Sequence, residues 1–169
     1  MLKKDGDRIM ILFHGSNVTV DAPRLITQNR FLDFGYGFYT TTNKDQAINF
    51  AKKVTERRKK GTATLNIYYI DEALAFQECS LLKFNSPDER WLDFVSANRQ
   101  GTYNGPAYDL VYGAVANDDV YRTIALYMTV ILSKEQALAA LKIRKLFDQL
   151  VFTSEKSLKY LTFTGRELF

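Results

Sequence analysis

The apolar positions of this chain change period repeatedly, and each change marks a predicted element. RIMILFH, residues 8–14, is a continuous run rich in Ile and Leu and predicts a buried strand ending at His14. GFYTTT, residues 37–42, is aromatic and β-branched and predicts a second strand. The period then becomes helical: Ala47, Phe50, Ala51 and Val54 fall at helical spacing behind an N-cap at Thr42 or Asn43. TATLNIYYI (62–70) alternates like a strand, and ECSLLKF (78–84) predicts another. SPDE (86–89) predicts a helix start with Ser86 as cap, Pro87 at the first position and Glu89 closing a capping box. Trp91, Phe94 and Val95 mark that helix's apolar face.

YDLVYGAV (108–115) reads as a buried strand, and DDVYRTIALYMTVIL (118–132) as a helix by length despite its β-branched residues. SKEQALAALKI (133–143) is a helix with a Ser133 to Gln136 capping box. DQLVFTS (148–154) is a strand, EKSLKYL a short helix and TFT a last strand. Strands and helices follow one another without βαβ alternation, so the predicted fold class is α+β with a mixed or split sheet. No repeat, low-complexity tract or Pro/Gly-rich linker interrupts residues 1–169, which are read as a single domain.

Composition refines this picture. Apolar residues make up 46% and charged residues 25%, the balance of a globule rather than a disordered chain. A net charge of +4 suits a phosphate-bearing ligand but does not by itself require nucleic acid. The densest basic run, KKVTERRKKG (52–61), reads as the solvated C-terminal end of a helix closed by Gly61. Cys79 is the lone cysteine, which excludes an internal disulfide and fits a reducing cytoplasm. The N-terminal residues lack an apolar signal core, and the longest apolar stretch, TIALYMTVIL, is too short to span a bilayer. The expected location is cytoplasmic, with no membrane partner.

Candidate chemistry is sparse. With one His and one Cys there is no zinc cluster, and no metal is expected. Asn117, Asp118 and Asp119 are explained by a helix start, where carboxylates suit the dipole; a metal at Asp118 and Asp119 is the weaker alternative. Gly35 and Gly37 lack the third glycine of a dinucleotide fingerprint and the lysine of a P-loop, so they read as a hairpin or bulge. Taken alone, His14 is an ordinary half-buried strand-end histidine. Tyr39 and Phe50, eleven residues apart on a strand and the helix it feeds, could instead clamp a flat heterocycle.

As a set these residues carry a resemblance. FHGS around His14, Gly15 and Ser16, then GYGFYT with Gly37 and Tyr39, then Phe50, resemble the NAD-binding core of the ADP-ribosyltransferase superfamily. The branch they resemble is the diphtheria-toxin-like and poly(ADP-ribose) polymerase one. The resemblance covers residues 10–55 and 147–153, and a family-specific insertion is expected around 80–146. It implies a split sheet of ADP-ribosyltransferase type and NAD as substrate. It gives His14 a hydrogen bond to the adenine-side ribose and Gly15 backbone bonds to the nicotinamide amide. Tyr39 and Phe50 would stack on the nicotinamide, and Ser16 would reach the adenosine ribose. The family's catalytic glutamate falls at Gln149, in FDQLVFTS; this position varies among Glu, Asp and Gln within the branch. Glutamine can bond a ribose hydroxyl but brings no charge, and losing one such partner costs about 10²–10³ in rate. Asp148 should point to the opposite face, and Glu155 lies beyond the strand.

The expected function is therefore an NAD-dependent mono-ADP-ribosyltransferase, or NAD glycohydrolase, with His14, Tyr39 and Gln149 as catalytic positions. Its acceptor would be a cytoplasmic macromolecule, protein or nucleic acid, and by analogy the chain would be a toxin or effector, with an antitoxin or regulatory partner. One alternative is a module that holds NAD or ADP-ribose without turning it over. The other is a basic nucleic-acid-binding domain resting on Lys52 to Lys60.

Overall fold

The fold is built around one strand pairing that almost fails. In the computed structural model, which describes residues 8–26, 32–115, 118–143 and 146–169, seven strands form one mixed sheet flanked by six helices among the described residues. The strands are β1 (Ile9–Ser16), β2 (Phe38–Thr41), β3 (Thr64–Asp71), β4 (Leu81–Lys83), β5 (Leu110–Ala114), β6 (Asp148–Phe152) and β7 (Leu161–Leu168). Their order across the sheet is β4-β5-β6-β2-β1-β3-β7. All neighbours are antiparallel except β4 and β5. β1 pairs with β3 along its whole length, from Ile9↔Asp71 to Ser16↔Thr64. Between β1 and β2 the only registered pair is Phe13↔Thr41. The two halves of the sheet thus join at one registered pair, and beyond it His14, Gly15 and Ser16 run free of β2's ladder.

The helices are α1 (Lys44–Arg58), α2 (Glu72–Glu78), α3 (Glu89–Gln100), α4 (Asp118–Met128), α5 (Lys134–Lys142) and α6 (Glu155–Leu158). Asn43 caps α1 by accepting from the Gln46 N–H, as the pattern predicts. The capping box of Ser133 and Gln136 opens α5. For α3 the expected cap moves two residues: Asp88, not Ser86, accepts from the Trp91 N–H at 3.0 Å. A carboxylate here satisfies the first-turn N–H and complements the dipole, which the Ser86 hydroxyl does not do. α2 follows β3 directly, capped by Asp71; a seven-residue helix is too short to display a period. Of the helix expected over 118–132, α4 takes 118–128, and the chain then turns, with Val130 left-handed at φ 62°; Asn117 lies outside the described residues. β7 is much longer than TFT, because β3 supplies a full-length partner from Thr64 to Ile70.

Alternation along β6 divides the core. Val151 faces a cluster with Phe34, Trp91, Val95, Val111, Ile124 and Leu141, formed with α3, α4 and α5. Leu150 and Phe152 face the other cluster, with Leu12, Phe38, Tyr68, Ile70 and Ala75. Residues 80–146 contribute β4, β5, α3, α4 and α5, so they build the first cluster. None of the helices among the described residues is long and apolar enough to cross a membrane.

Candidate functional site

Where β1 and β2 part, a side chain takes over from the ladder. The His14 ring reaches across the gap and its Nδ1 lies 2.7 Å from the Tyr39 carbonyl oxygen. A carbonyl only accepts, so Nδ1 carries the hydrogen and Nε2 is the acceptor of the neutral ring. The half-buried His14 also packs on Phe38, with ring centroids 4.4 Å apart. Burial lowers the imidazole below its ordinary 6.5, outweighing the opposite pull of the Tyr39 carbonyl.

This has a measurable consequence. Below pH 6.5 the unfolded chain takes up a proton on His14 before the folded one does, so stability falls as pH drops from 6.5 towards the lowered folded value. His14 is the chain's single histidine, so this component belongs to one residue. Melting temperatures at pH 7.5 and 5.5 should differ less in His14→Gln than in the parent. Equal differences would show that the ring is not held neutral.

Gly15 is fixed by a helix. A Cβ on it would stand 2.1 Å from the Ala47 carbonyl oxygen and 2.9 Å from the Ala51 nitrogen. Only glycine lets α1 lie this close to β1. Phe50 lies between those two contact residues in the chain and is 47% exposed, so α1 carries an accessible ring. Ser16 is buried and its Oγ accepts from the Val18 N–H at 3.4 Å.

Tyr39 belongs to the other half of the sheet. Its ring packs against the Trp91 cluster. Its hydroxyl accepts from the Phe34 N–H at 3.0 Å and donates to the Gly35 carbonyl at 2.6 Å, fastening the loop before β2. Gly35 is left-handed, with φ +79°, and a Cβ on Gly37 would stand 2.7 Å from the Phe152 carbonyl oxygen. The Gly-x-Gly pair therefore answers to a turn and to a close approach of β6.

Gln149 lies on β6 opposite Thr41 of β2 and Gly113 of β5, on the same sheet face as Tyr39. It is 5% exposed, and its Nε2 donates to the Ala114 carbonyl at 3.4 Å. Asp148 points the other way, where the Tyr112 hydroxyl donates to its Oδ2 at 2.8 Å; burial and then this bond push the Tyr112 phenol up to about 12. Glu155 opens α6 behind the Ser154 cap.

The structure thus joins the His14 ring to the Tyr39 backbone by a hydrogen bond, but that ring packs on Phe38 on one face of the sheet while the Tyr39 ring and Gln149 lie on the other. Phe50 is held on the β1 side through Gly15. Two surface grooves, of about 410 and 220 Å³, are lined by other residues, among them Ser96 and Lys134 in the first and Tyr36 and Tyr103 in the second.

Two asparagines were not singled out by sequence. Asn66, fully buried and opposite His14, donates to the His14 and Val18 carbonyls and accepts from the Val20 N–H at 2.8 Å. Asn17 donates to the Lys60 carbonyl and accepts from Arg58, both at 2.8 Å. A polar residue inside the apolar run TLNIYYI was the available signal for the first.

Residues 10–163 match a family described as a protein of unknown function, DUF3990. The chain belongs to DUF3990. The family match takes in both halves of the sheet, from within β1 into β7, and every residue of the site just described. No curated protein and no solved structure matches the chain.

Proposed function

We propose that this DUF3990 protein is an NAD-cleaving mono-ADP-ribosyltransferase whose sheet is of the ADP-ribosyltransferase type. The observation that carries the reading is the parting of β1 from β2 at Phe13↔Thr41, bridged by His14 Nδ1 on the Tyr39 carbonyl. A dinucleotide bound along that parting would meet His14 Nε2, which accepts from a ribose hydroxyl. Gly15 would offer backbone groups to the nicotinamide amide, with Tyr39 and Phe50 supplying rings. When the C1′–N bond breaks, its electron pair leaves with neutral nicotinamide and positive charge develops on the ribose. An acceptor nucleophile then bonds to C1′ and releases its proton to solvent.

Gln149 can hydrogen-bond but cannot neutralise that charge, so the chemical step is expected to be slow. The burial of Gln149 favours a second reading, a module that binds NAD or ADP-ribose without turnover. Incubation with labelled NAD and a cell lysate separates the two. The transferase reading expects nicotinamide release and label on a cytoplasmic macromolecule, and NAD recovered intact supports the module.

A further inference from the structure

We infer that the acceptor of the proposed transferase is a single-stranded nucleic acid, held by the basic end of α1. Lys52 to Lys60 contain six cations and one carboxylate, while the whole chain carries only +4, so the rest of the molecule is on balance slightly acidic. The positive field is concentrated in one place.

Its placement matters more than its size. Lys53 and Arg57, both exposed and four residues apart, share a face of α1, with Phe50 one turn before them. From Phe50 to Arg57 that face runs roughly 10 Å, and the exposed Lys59 and Lys60 follow directly in the chain. Lys59 turns the chain in a left-handed cap, φ 50°, and Gly61 follows at φ +80°. A Cβ on Gly61 would stand 2.1 Å from the Asn17 carbonyl oxygen.

Asn17 ties this end to the site. It is 5% exposed, donates to the Lys60 carbonyl, accepts from Arg58, and receives the Thr62 N–H on its own carbonyl at 3.0 Å. It is also the residue that follows His14, Gly15 and Ser16. The backbone of this basic end and the Arg58 guanidinium are therefore fixed against the exit of β1, and Lys53, Arg57, Lys59 and Lys60 stand exposed beside it. A single row of cations follows the phosphates of one strand, and chemistry on a base needs that base out of the duplex stack.

Only the transfer step rests on the transferase reading; binding does not need NAD. In that step the nicotinamide leaves with the C1′–N electron pair, a nucleophilic atom of the strand bonds to C1′, and its proton goes to solvent.

The test uses the full chain and a fluorescein-labelled single-stranded DNA 12-mer, followed by anisotropy from 50 to 300 mM salt without NAD. Binding should weaken steeply with salt. The Lys53→Gln/Arg57→Gln/Lys60→Gln triple variant, all at exposed positions, should flatten the slope of log affinity against log salt by about 2. Its melting temperature and its nicotinamide release without DNA should be unchanged. With labelled NAD added, label should appear on the 12-mer and be lost in the triple variant.

No salt-dependent binding, an unchanged slope in the triple variant, equal affinity for the duplex, or equal affinity for anionic phosphatidylglycerol vesicles would each overturn the inference. DNA binding and nicotinamide release without label on the strand would overturn its acceptor role. Variant-sensitive DNA binding with no nicotinamide release would fail the transferase reading while supporting the track.

Discussion

Replacing Gly15 by alanine is expected to lower stability by at least about 3 kcal/mol, towards and beyond the upper end of overpacking costs. The added methyl would stand 2.1 Å from the backbone oxygen of Ala47, and backbone cannot swing aside as a side chain can. Either α1 lifts from β1 or β1 pulls away from β3. For a domain of this size that is a fall of roughly 6–12 °C in melting temperature, read by calorimetry. A fall of 2 °C or less would mean that the helix does not rest on the strand as described. The same displacement would move Phe50 from the strand end, so NAD affinity should fall with stability.

Gln149→Glu should raise the rate of nicotinamide release about tenfold, equivalent to about 1.4 kcal/mol off the barrier. The substitution is nearly isosteric and brings negative charge to the position where the resemblance puts the catalytic carboxylate. It should also cost stability. Gln149 Nε2 donates to the Ala114 carbonyl, and an ionised carboxylate there can donate nothing and meets an oxygen instead. With the side chain 5% exposed, an unsatisfied pairing of this kind costs about 2 kcal/mol. Faster turnover in a less stable protein is the combined signature, read by product chromatography and melting on the same preparation. A less stable protein whose release rate stays at the parent level would place Gln149 in the core and outside the reaction.

These expectations show what the sequence made legible. The apolar runs and periods located β1, β2, β5, β6, α1 and α5, but β1, expected to be buried and to end at His14, leaves Ile9 and Ile11 exposed and continues to Ser16 along β3. Asn43 and Ser133 were readable as caps because cap chemistry is local. α2 has seven residues and no period to read, and the length of β7 depends on β3, a partner about a hundred residues away. At the candidate site, order and spacing single out His14, Gly15, Tyr39 and Phe50 as residues of interest. Their supports are not singled out. Nothing local announces that Gly15 serves the packing of α1, that the Tyr39 hydroxyl ties down Gly35, or that Asn17 joins the end of α1 to β1. The first and last of these are long-range contacts, and close approaches of backbone from elsewhere in the chain also account for the glycines at 15, 37 and 61.

The central claim is that NAD occupies the parting between β1 and β2, with His14 Nε2 accepting a hydrogen bond from it. Isothermal titration of NAD into the full chain and into His14→Ala, at pH 7.5 with folding checked by circular dichroism, tests this most directly. The account predicts saturable heat for the parent and none for a folded His14→Ala. No binding by the parent, or the same affinity in the variant, would contradict it.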